Sequence, residues 1–202
     1  MNRSRIVLAS SNAGKLREIC AALDDPALEL VTQGSLGVSD AEETGLSFVE
    51  NAIIKARHAS LATGLPSLAD DSGLEVDALL GKPGIHSARF AGLSGPQADP
   101  ANNSKLLAEL ASVPDQQRTA RFQCVIVYLR HAADPTPLIC QGTWEGRILH
   151  EPRGDNGFGY DPLFLVPTHG CTSAELEPAV KNQLSHRGQA LRKLQACWRS
   201  RP

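Results

Sequence analysis

The segment from Ser47 to Gly73 most constrains the fold of this chain. Ser47-Phe48-Val49-Glu50 fits a capping box, and Gly64 with Pro66 behind it is a stop signal, so a helix is expected over residues 48–63. Phe48, Val49, Ala52, Ile53, Ala56, Ala59 and Ala62 form its buried face, and Asn51, Lys55 and His58 fall at i, i+4 and i+7 on the opposite stripe. Asn51 and Lys55 could therefore reach one ligand together; a solvated polar stripe is the alternative. The apolar run 66–69 follows, and then Asp70-Asp71-Ser72-Gly73. Side chains alternate along a strand, so the two acids point to opposite faces. A strand end with acids, a hydroxyl and a glycine suits a hard cation and a phosphate. A solvated turn at Gly73 is the alternative.

Residues 5–9, Arg-Ile-Val-Leu-Ala, read as a short buried strand. They lead through Ser10-Ser11-Asn12-Ala13-Gly14-Lys15 into residues 16–23, where Leu16, Ile19, Cys20 and Leu23 have helical spacing. Strand, small polar loop and helix start can grip phosphate, because first-turn N–H groups face the loop and Lys15 adds a full charge. The spacing is not that of a Walker A loop, and a plain capped helix start is the alternative. Residues 28–31 read as a second strand. Asp40, Glu42 and Glu43 then make an acidic loop, either a source of a metal ligand or a solvated charge run.

Beyond the paired acids, residues 74–79 alternate as a half-buried strand should. Residues 81–90 are turn-rich and carry His86 and Arg89, while the Gly/Pro/Ser stretch 92–100 is the expected hinge, followed by a modest helix over 101–110. Two β-rich runs, 119–129 and 136–148, flank a turn and are expected to pair as an antiparallel hairpin whose outer surface is a candidate partner interface. Gly154-Asp155-Asn156-Gly157-Phe158-Gly159-Tyr160-Asp161-Pro162 breaks any regular element. Its glycines admit a close ligand and Phe158 offers a face to a base, unless the aromatics pack beneath a structural turn. Residues 163–166 read as a strand and 174–184 as a helix broken at Pro178. Ser185 caps a last helix over 186–198. His186 and Arg187 sit in its first turn against the helix dipole, with Lys181 just upstream.

A net charge of −2 over 202 residues gives no broad positive field for long nucleic acid. No window approaches a transmembrane span, and residues 1–5 lead straight into a strand without a signal-type apolar region, so no membrane partner and a cytoplasmic location are expected. The five cysteines are widely spaced with no CxxC, consistent with reduced thiols that are packing residues.

These features converge on a nucleoside triphosphate site with a divalent cation. The chain resembles the inosine triphosphate pyrophosphatase family, particularly its bacterial members. The resemblance rests on Ser10-Ser11-Asn12-Ala13-Gly14-Lys15, Glu42-Glu43-Thr44-Gly45, Phe48-Val49-Glu50-Asn51-Ala52 with Lys55-Ala56, and Ala69-Asp70-Asp71-Ser72-Gly73-Leu74. Pro83-Gly84-Ile85 with Ser87-Ala88-Arg89, Gly157-Phe158-Gly159-Tyr160-Asp161-Pro162 and Ser185-His186-Arg187 follow in the family order. Where many members have Thr-Gly-Asn in the first loop, this chain has Ser10-Ser11-Asn12.

The resemblance implies a single ITPase-like α/β domain over 1–202, with a long mixed sheet flanked by helices and two lobes around an active-site cleft. It implies Mg²⁺-dependent hydrolysis of ITP, dITP and XTP by a homodimer. By position, Ser10, Ser11, Asn12, Ala13, Gly14 and Lys15 would hold the triphosphate. Lys55 would contact phosphate, Asp71 would be general base and metal ligand, and Ser72 would bind substrate. Glu42 is the favoured second metal acid, with Glu43 also fitting. Phe158, Gly159, Tyr160, Asp161, Lys181, His186 and Arg187 would hold the base and sugar side.

The chemistry agrees with these roles. A triphosphate carries about four negative charges, which Lys15, Lys55 and Mg²⁺ would neutralise as pyrophosphate leaves. Asp71 would orient or deprotonate the water that attacks the α-phosphorus. Donors aimed at a purine O6 would refuse adenine, and Arg187 and the backbone of the Gly-aromatic loop are the candidates. A Maf-like pyrophosphatase would carry a Ser-x-Ser-x-Arg-Arg loop, which is missing, and intact Lys15, Lys55 and Asp71 argue against a non-catalytic nucleotide-binding regulator.

Overall fold

The computed structural model describes residues 3–23 and 25–199. Its strands are β1 (Ser4–Leu8), β2 (Leu28–Thr32), β3 (Ser67–Val76), β4 (Thr119–Leu129), β5 (Leu138–Ile148), β6 (Phe164–Val166) and β7 (Cys171–Thr172). Its α-helices are α1 (Ala13–Ala22), α2 (Phe48–Thr63), α3 (Ala98–Glu109), α4 (Pro178–Leu184) and α5 (His186–Arg199). The strands form one seven-stranded sheet in the order β2-β1-β3-β4-β5-β6-β7. β1 is parallel to both neighbours, whereas β6 is antiparallel to β5 and β7, so this is a mixed α/β sheet.

The chain divides into two compact units. The first gathers the N-terminal segment through Asp71, Cys124–Gly142 and the segment from Arg187; the second gathers Ser72–Gln123 and Thr143–His186. In the first unit the two-residue period of the strands sorts side chains into two cores. Ile6, Leu8, Leu68 and Ile126 pack with Ile19 and Leu23 of α1 and Leu191 and Leu194 of α5. Val7, Ala9, Ala69, Val125 and Val127 pack with Ala52, Ala56 and Ala59 of α2. Leu68 and Ala69 thus face opposite ways, and the same alternation carries Asp70 toward α1 and α5 and Asp71 toward α2.

The second unit has one core, built from Leu74, Val76, Leu106, Phe122, Trp144, Leu163 and Phe164. Gly146 on β5 admits the Phe164 ring, since a Cβ there would lie 2.4 Å from it. Arg118 is buried, and its guanidinium donates to the carbonyls of Leu110, Ile148 and Leu149 at 2.7–2.8 Å, tying the end of α3 to the end of β5. Burial of a cation is tolerated there because three acceptors replace its water.

α2 has the bounds that its caps dictate. The Ser47 hydroxyl accepts from the Glu50 N–H, and Gly64 adopts φ +70 as the left-handed C-cap. Five expectations are corrected. Gly73 is not a turn; β3 runs unbroken through Asp70 to Val76 beside β4, although its register with β1 covers only Ser67 and Leu68. Ala62 is exposed, and Asn51 is fully buried rather than on a solvated stripe. α3 begins at Ala98, so the hinge stretch is partly helical. Pro178 does not break a helix but begins α4, where its missing N–H costs nothing. Among the described residues, no helix is long and apolar enough to cross a membrane.

Candidate active site

The Asp70 face of the first unit is a buried charge cluster. Lys15 Nζ lies 3.1 Å from Asp70 Oδ1, and the Arg187 guanidinium donates to Asp70 Oδ2 at 3.2 and 3.3 Å and to Glu18. Burial alone would push Asp70 up, but Lys15, Arg187 and Lys55 hold it well below the usual carboxylate range. Burial would likewise lower Arg187, yet Asp70 and Glu18 keep it firmly charged. The buried Cys124 thiol lies 3.6 Å from Asp70 and is pushed up by burial and by that carboxylate, which suits a packing thiol and not a nucleophile. These contacts explain why a cation in the first turn of α5 is stable against the helix dipole: two carboxylates answer it.

The Ser10–Lys15 loop is shaped by its own side chains. Asn12 caps α1 by accepting from the Lys15 N–H at 3.0 Å, and its own N–H donates to Ser10 Oγ at 3.2 Å. Ser11 Oγ donates to Asp40 at 2.7 Å, tying the loop to the acidic segment. Ala13 and Gly14 open α1, so their N–H groups have no intrahelical acceptor.

The Asp71 face carries the other half of the chemistry. Lys55 Nζ is 2.7 Å from Asp71 Oδ1 and 2.9 Å from a Glu43 oxygen. Burial would lower Lys55, but Asp71, Asp70 and Glu43 outweigh it and raise it. Burial raises Asp71 despite Lys55 and Lys15. Its Oδ2 is buried and has no hydrogen-bond partner among the described residues. Glu42 is exposed, and the acid brought beside Lys55 is Glu43. The acidic loop is fixed from α2: the Asn51 carboxamide oxygen accepts from the Gly45 N–H at 2.8 Å, and His58 Nε2 meets the Ser39 carbonyl at 2.9 Å. A Cβ on Gly45 would lie 2.7 Å from Asn51 Oδ1, so the approach needs glycine. The polar stripe of α2 therefore faces this loop. Two carboxylates and an unpartnered buried oxygen fit Mg²⁺, which usually takes one or two carboxylates and completes its shell with water and phosphate.

Ser72, half-buried, follows Asp71 on β3 as the first residue of the second unit. In that unit, Asp161 organises the Gly-aromatic loop. Its Oδ2 accepts from the Phe158 N–H at 2.9 Å and from Lys181 Nζ at 2.7 Å, and its Oδ1 accepts from Ser173 Oγ at 2.8 Å. The Gly159 N–H donates to Asp99 Oδ2 at 2.7 Å. Lys181 Nζ stands 5.2 Å from the Phe158 ring centroid, a cation–π contact. Tyr160 is buried with its hydroxyl donating to the Ser87 carbonyl at 2.9 Å. His186 is buried and stacks on Phe122 with ring centroids 4.8 Å apart.

Several of the expected site groups have partners within the protein. The N–H groups of Phe158 and Gly159 are engaged by carboxylates, and the Arg187 guanidinium is engaged by Asp70 and Glu18. The side chains of Tyr160, Asp161 and His186 pack into the unit. Phe158 and Lys181 lie side by side through their cation–π contact. Sequence reasoning missed Glu18, Asp99, Asn103 and Ser173. Only Glu18 left a signal: it lies three residues after Lys15, on the same helical face.

A buried paired-acid cluster beside a phosphate-type loop, on a mixed α/β sheet, defines a nucleotide-hydrolase class of site. Residues 6–197 match the Ham1 family, and the chain belongs to that family. It is 59% identical to a dITP/XTP pyrophosphatase of Vibrio parahaemolyticus over 94% of each chain. It is 60% identical to one of Shigella flexneri over 94% of this chain and 95% of that one. A solved HAM1 protein from Coxiella burnetii superposes with a TM-score of 0.90 at 51% identity, covering 98% of this chain and all of that one.

Proposed function

We propose that this chain hydrolyses the non-standard purine nucleoside triphosphates dITP, ITP and XTP to the monophosphate and pyrophosphate, with Mg²⁺, as a cytoplasmic homodimer that keeps them out of DNA and RNA. The observation that carries the reading is Asp71, one oxygen on Lys55 and the other buried without a partner among the described residues. Relatives at 57–60% identity that are named dITP/XTP pyrophosphatase support it.

In this reading Asp71 accepts the proton of the water that attacks the α-phosphorus. Its raised proton affinity suits a base, because burial has removed the solvent that would stabilise its charge. Lys55 holds the carboxylate in place and balances charge that builds on the phosphates. Lys15 and the N–H groups of Ala13 and Gly14 take the triphosphate. Asp71 and Glu43 would hold Mg²⁺, which when bound neutralises phosphate charge and acidifies water. Ser72 contacts the substrate, and Phe158 and Lys181 receive the base.

Pyrophosphate release from ITP, XTP, GTP and ATP, measured with Mg²⁺ beside an Asp71→Asn variant, tests this. Strong turnover of ITP and XTP, little of ATP and GTP, and an inactive variant are expected. Folded protein that leaves ITP and XTP untouched would refute the reading.

A further inference from the structure

Helix α3 meets the Gly-aromatic loop with two side chains one turn apart. Asp99 Oδ2 accepts from the Gly159 N–H at 2.7 Å, and Asn103 Nδ2 donates to the Gly159 carbonyl at 3.0 Å. Side chains at i and i+4 lie on one helical face, so both backbone groups of a single glycine are held from one side. Gly159 sits at φ +61, in the left-handed region. One residue earlier, the Phe158 N–H is held by Asp161 at 2.9 Å. Two carboxylates thus take the two successive N–H groups that flank the Phe158 Cα.

The same helix holds a second loop. Asn102 is buried, accepts from the Ala91 N–H at 2.7 Å and donates to the carbonyls of Ser87 and Ala88 at 3.2 Å. The Ser87 carbonyl also receives the Tyr160 hydroxyl. Beside the clamp, Asp99, Asn103, Phe158 and Gly159 line a cavity of about 500 Å³. Asn103 Oδ1 is buried there and has no hydrogen-bond partner among the described residues.

We propose that Asp99 and Asn103 are positioning residues for purine recognition: they fix the loop so that the Phe158 ring and Lys181 are preset for the base. The proposal rests on reading this loop as the base-binding loop. Glycines lose the most conformational freedom when a loop orders, and Gly154, Gly157 and Gly159 all lie at positive φ. A loop ordered in advance does not charge that loss to substrate binding. The clamp touches no group assigned to the phosphate or the attacking water, so its loss weakens binding and spares the chemical step.

The test is steady-state kinetics with ITP for Asp99→Ala, Asp99→Asn and Phe158→Ala, with inorganic tripolyphosphate as an inhibitor that lacks a base. Losing this charge-assisted hydrogen bond should raise the KM of Asp99→Ala about tenfold with kcat within about threefold. Asp99→Asn, whose amide oxygen still accepts, should recover most of the loss, and inhibition by tripolyphosphate should be unchanged. A fall in kcat with KM unaltered would overturn the proposal, because a merely structural role lowers the active fraction. If Phe158→Ala raises KM and Asp99→Ala does not, the clamp is refuted and the base-loop reading stands. If neither raises it, both fall. Should Asp99→Ala fail to fold, Asn103→Ala is judged by the same criteria.

Discussion

Asp70 and Asp71 are consecutive residues with separate counter-ions: Asp70 Oδ1 lies 3.1 Å from Lys15 Nζ, and Asp71 Oδ1 lies 2.7 Å from Lys55 Nζ. Strand alternation separates them, and their electrostatics then diverge. Asp70 is held below the usual carboxylate range, whereas burial raises Asp71 from its ordinary value. Removing charge should therefore have unequal effects. Asp70→Asn strips the buried Arg187 and the half-buried Lys15 of their shared anion and should cost about 3–5 kcal/mol, or about 6–20 °C in Tm. Asp71→Asn removes a carboxylate that burial disfavours but also one partner of Lys55, which keeps Glu43, so the variant should lose less stability than Asp70→Asn. Thermal melts in chelator at neutral pH check both; equal losses would contradict the assignment.

The pH dependence follows with its sign. The stabilisation from Asp70, whose folded pKa is depressed, is fully present above its unfolded value of about 3.9 and is lost as pH falls through the lower folded value. The gap between the parent and Asp70→Asn should thus stay constant from neutral pH down to about 5 and narrow only in stronger acid. Asp71 behaves inversely. Its raised folded pKa makes the ionised form a cost, so the parent should gain on Asp71→Asn as pH falls through that value. Denaturant midpoints for the three proteins across pH, in chelator, give the comparison.

Glu42 and Glu43 differ by one position and in everything else. Glu42 is exposed, while Glu43 shares Lys55 with Asp71 at 2.9 Å. Glu43→Gln should raise the Mg²⁺ concentration for half-maximal activity by about tenfold or more, the scale seen when a supporting group at a metal site is lost. Glu42→Gln should leave it within about twofold. The reverse ranking would return the ligand to Glu42.

What was legible in the sequence was local. The bounds of α2 follow from a serine, a glutamate and a glycine within its own span, and the split of Asp70 from Asp71 follows from a two-residue period. What was illegible depended on partners far along the chain. Asn51 reads as a polar surface residue until Gly45 folds onto it, and Arg187 as a base-side donor until Glu18 and Asp70 flank it. Gly73 reads as a turn because Asp, Ser and Gly favour turns, but the place of β3 within the sheet overrides that preference. The Gly-aromatic loop was recognised by composition, while the side chains that fix it sit on a helix whose first turn lay inside an apparent hinge.

Gly157 and Gly159 separate two reasons for glycine in that loop. Both lie at positive φ, +81 and +61. A Cβ on Gly157 would stand 2.1 Å from Asp161 Oδ2, whereas one on Gly159 would meet nothing within 4 Å. Gly159→Ala therefore costs only backbone strain, about 1–2 kcal/mol. Gly157→Ala must also push away the Asp161 carboxylate, which holds Lys181 and the Phe158 N–H. Breaking that buried pair adds about 3–5 kcal/mol or displaces the loop. Gly157→Ala should accordingly lose more Tm than Gly159→Ala and should show the larger rise in KM for ITP. Equal behaviour of the two variants would mean that Asp161 does not hold the loop in solution.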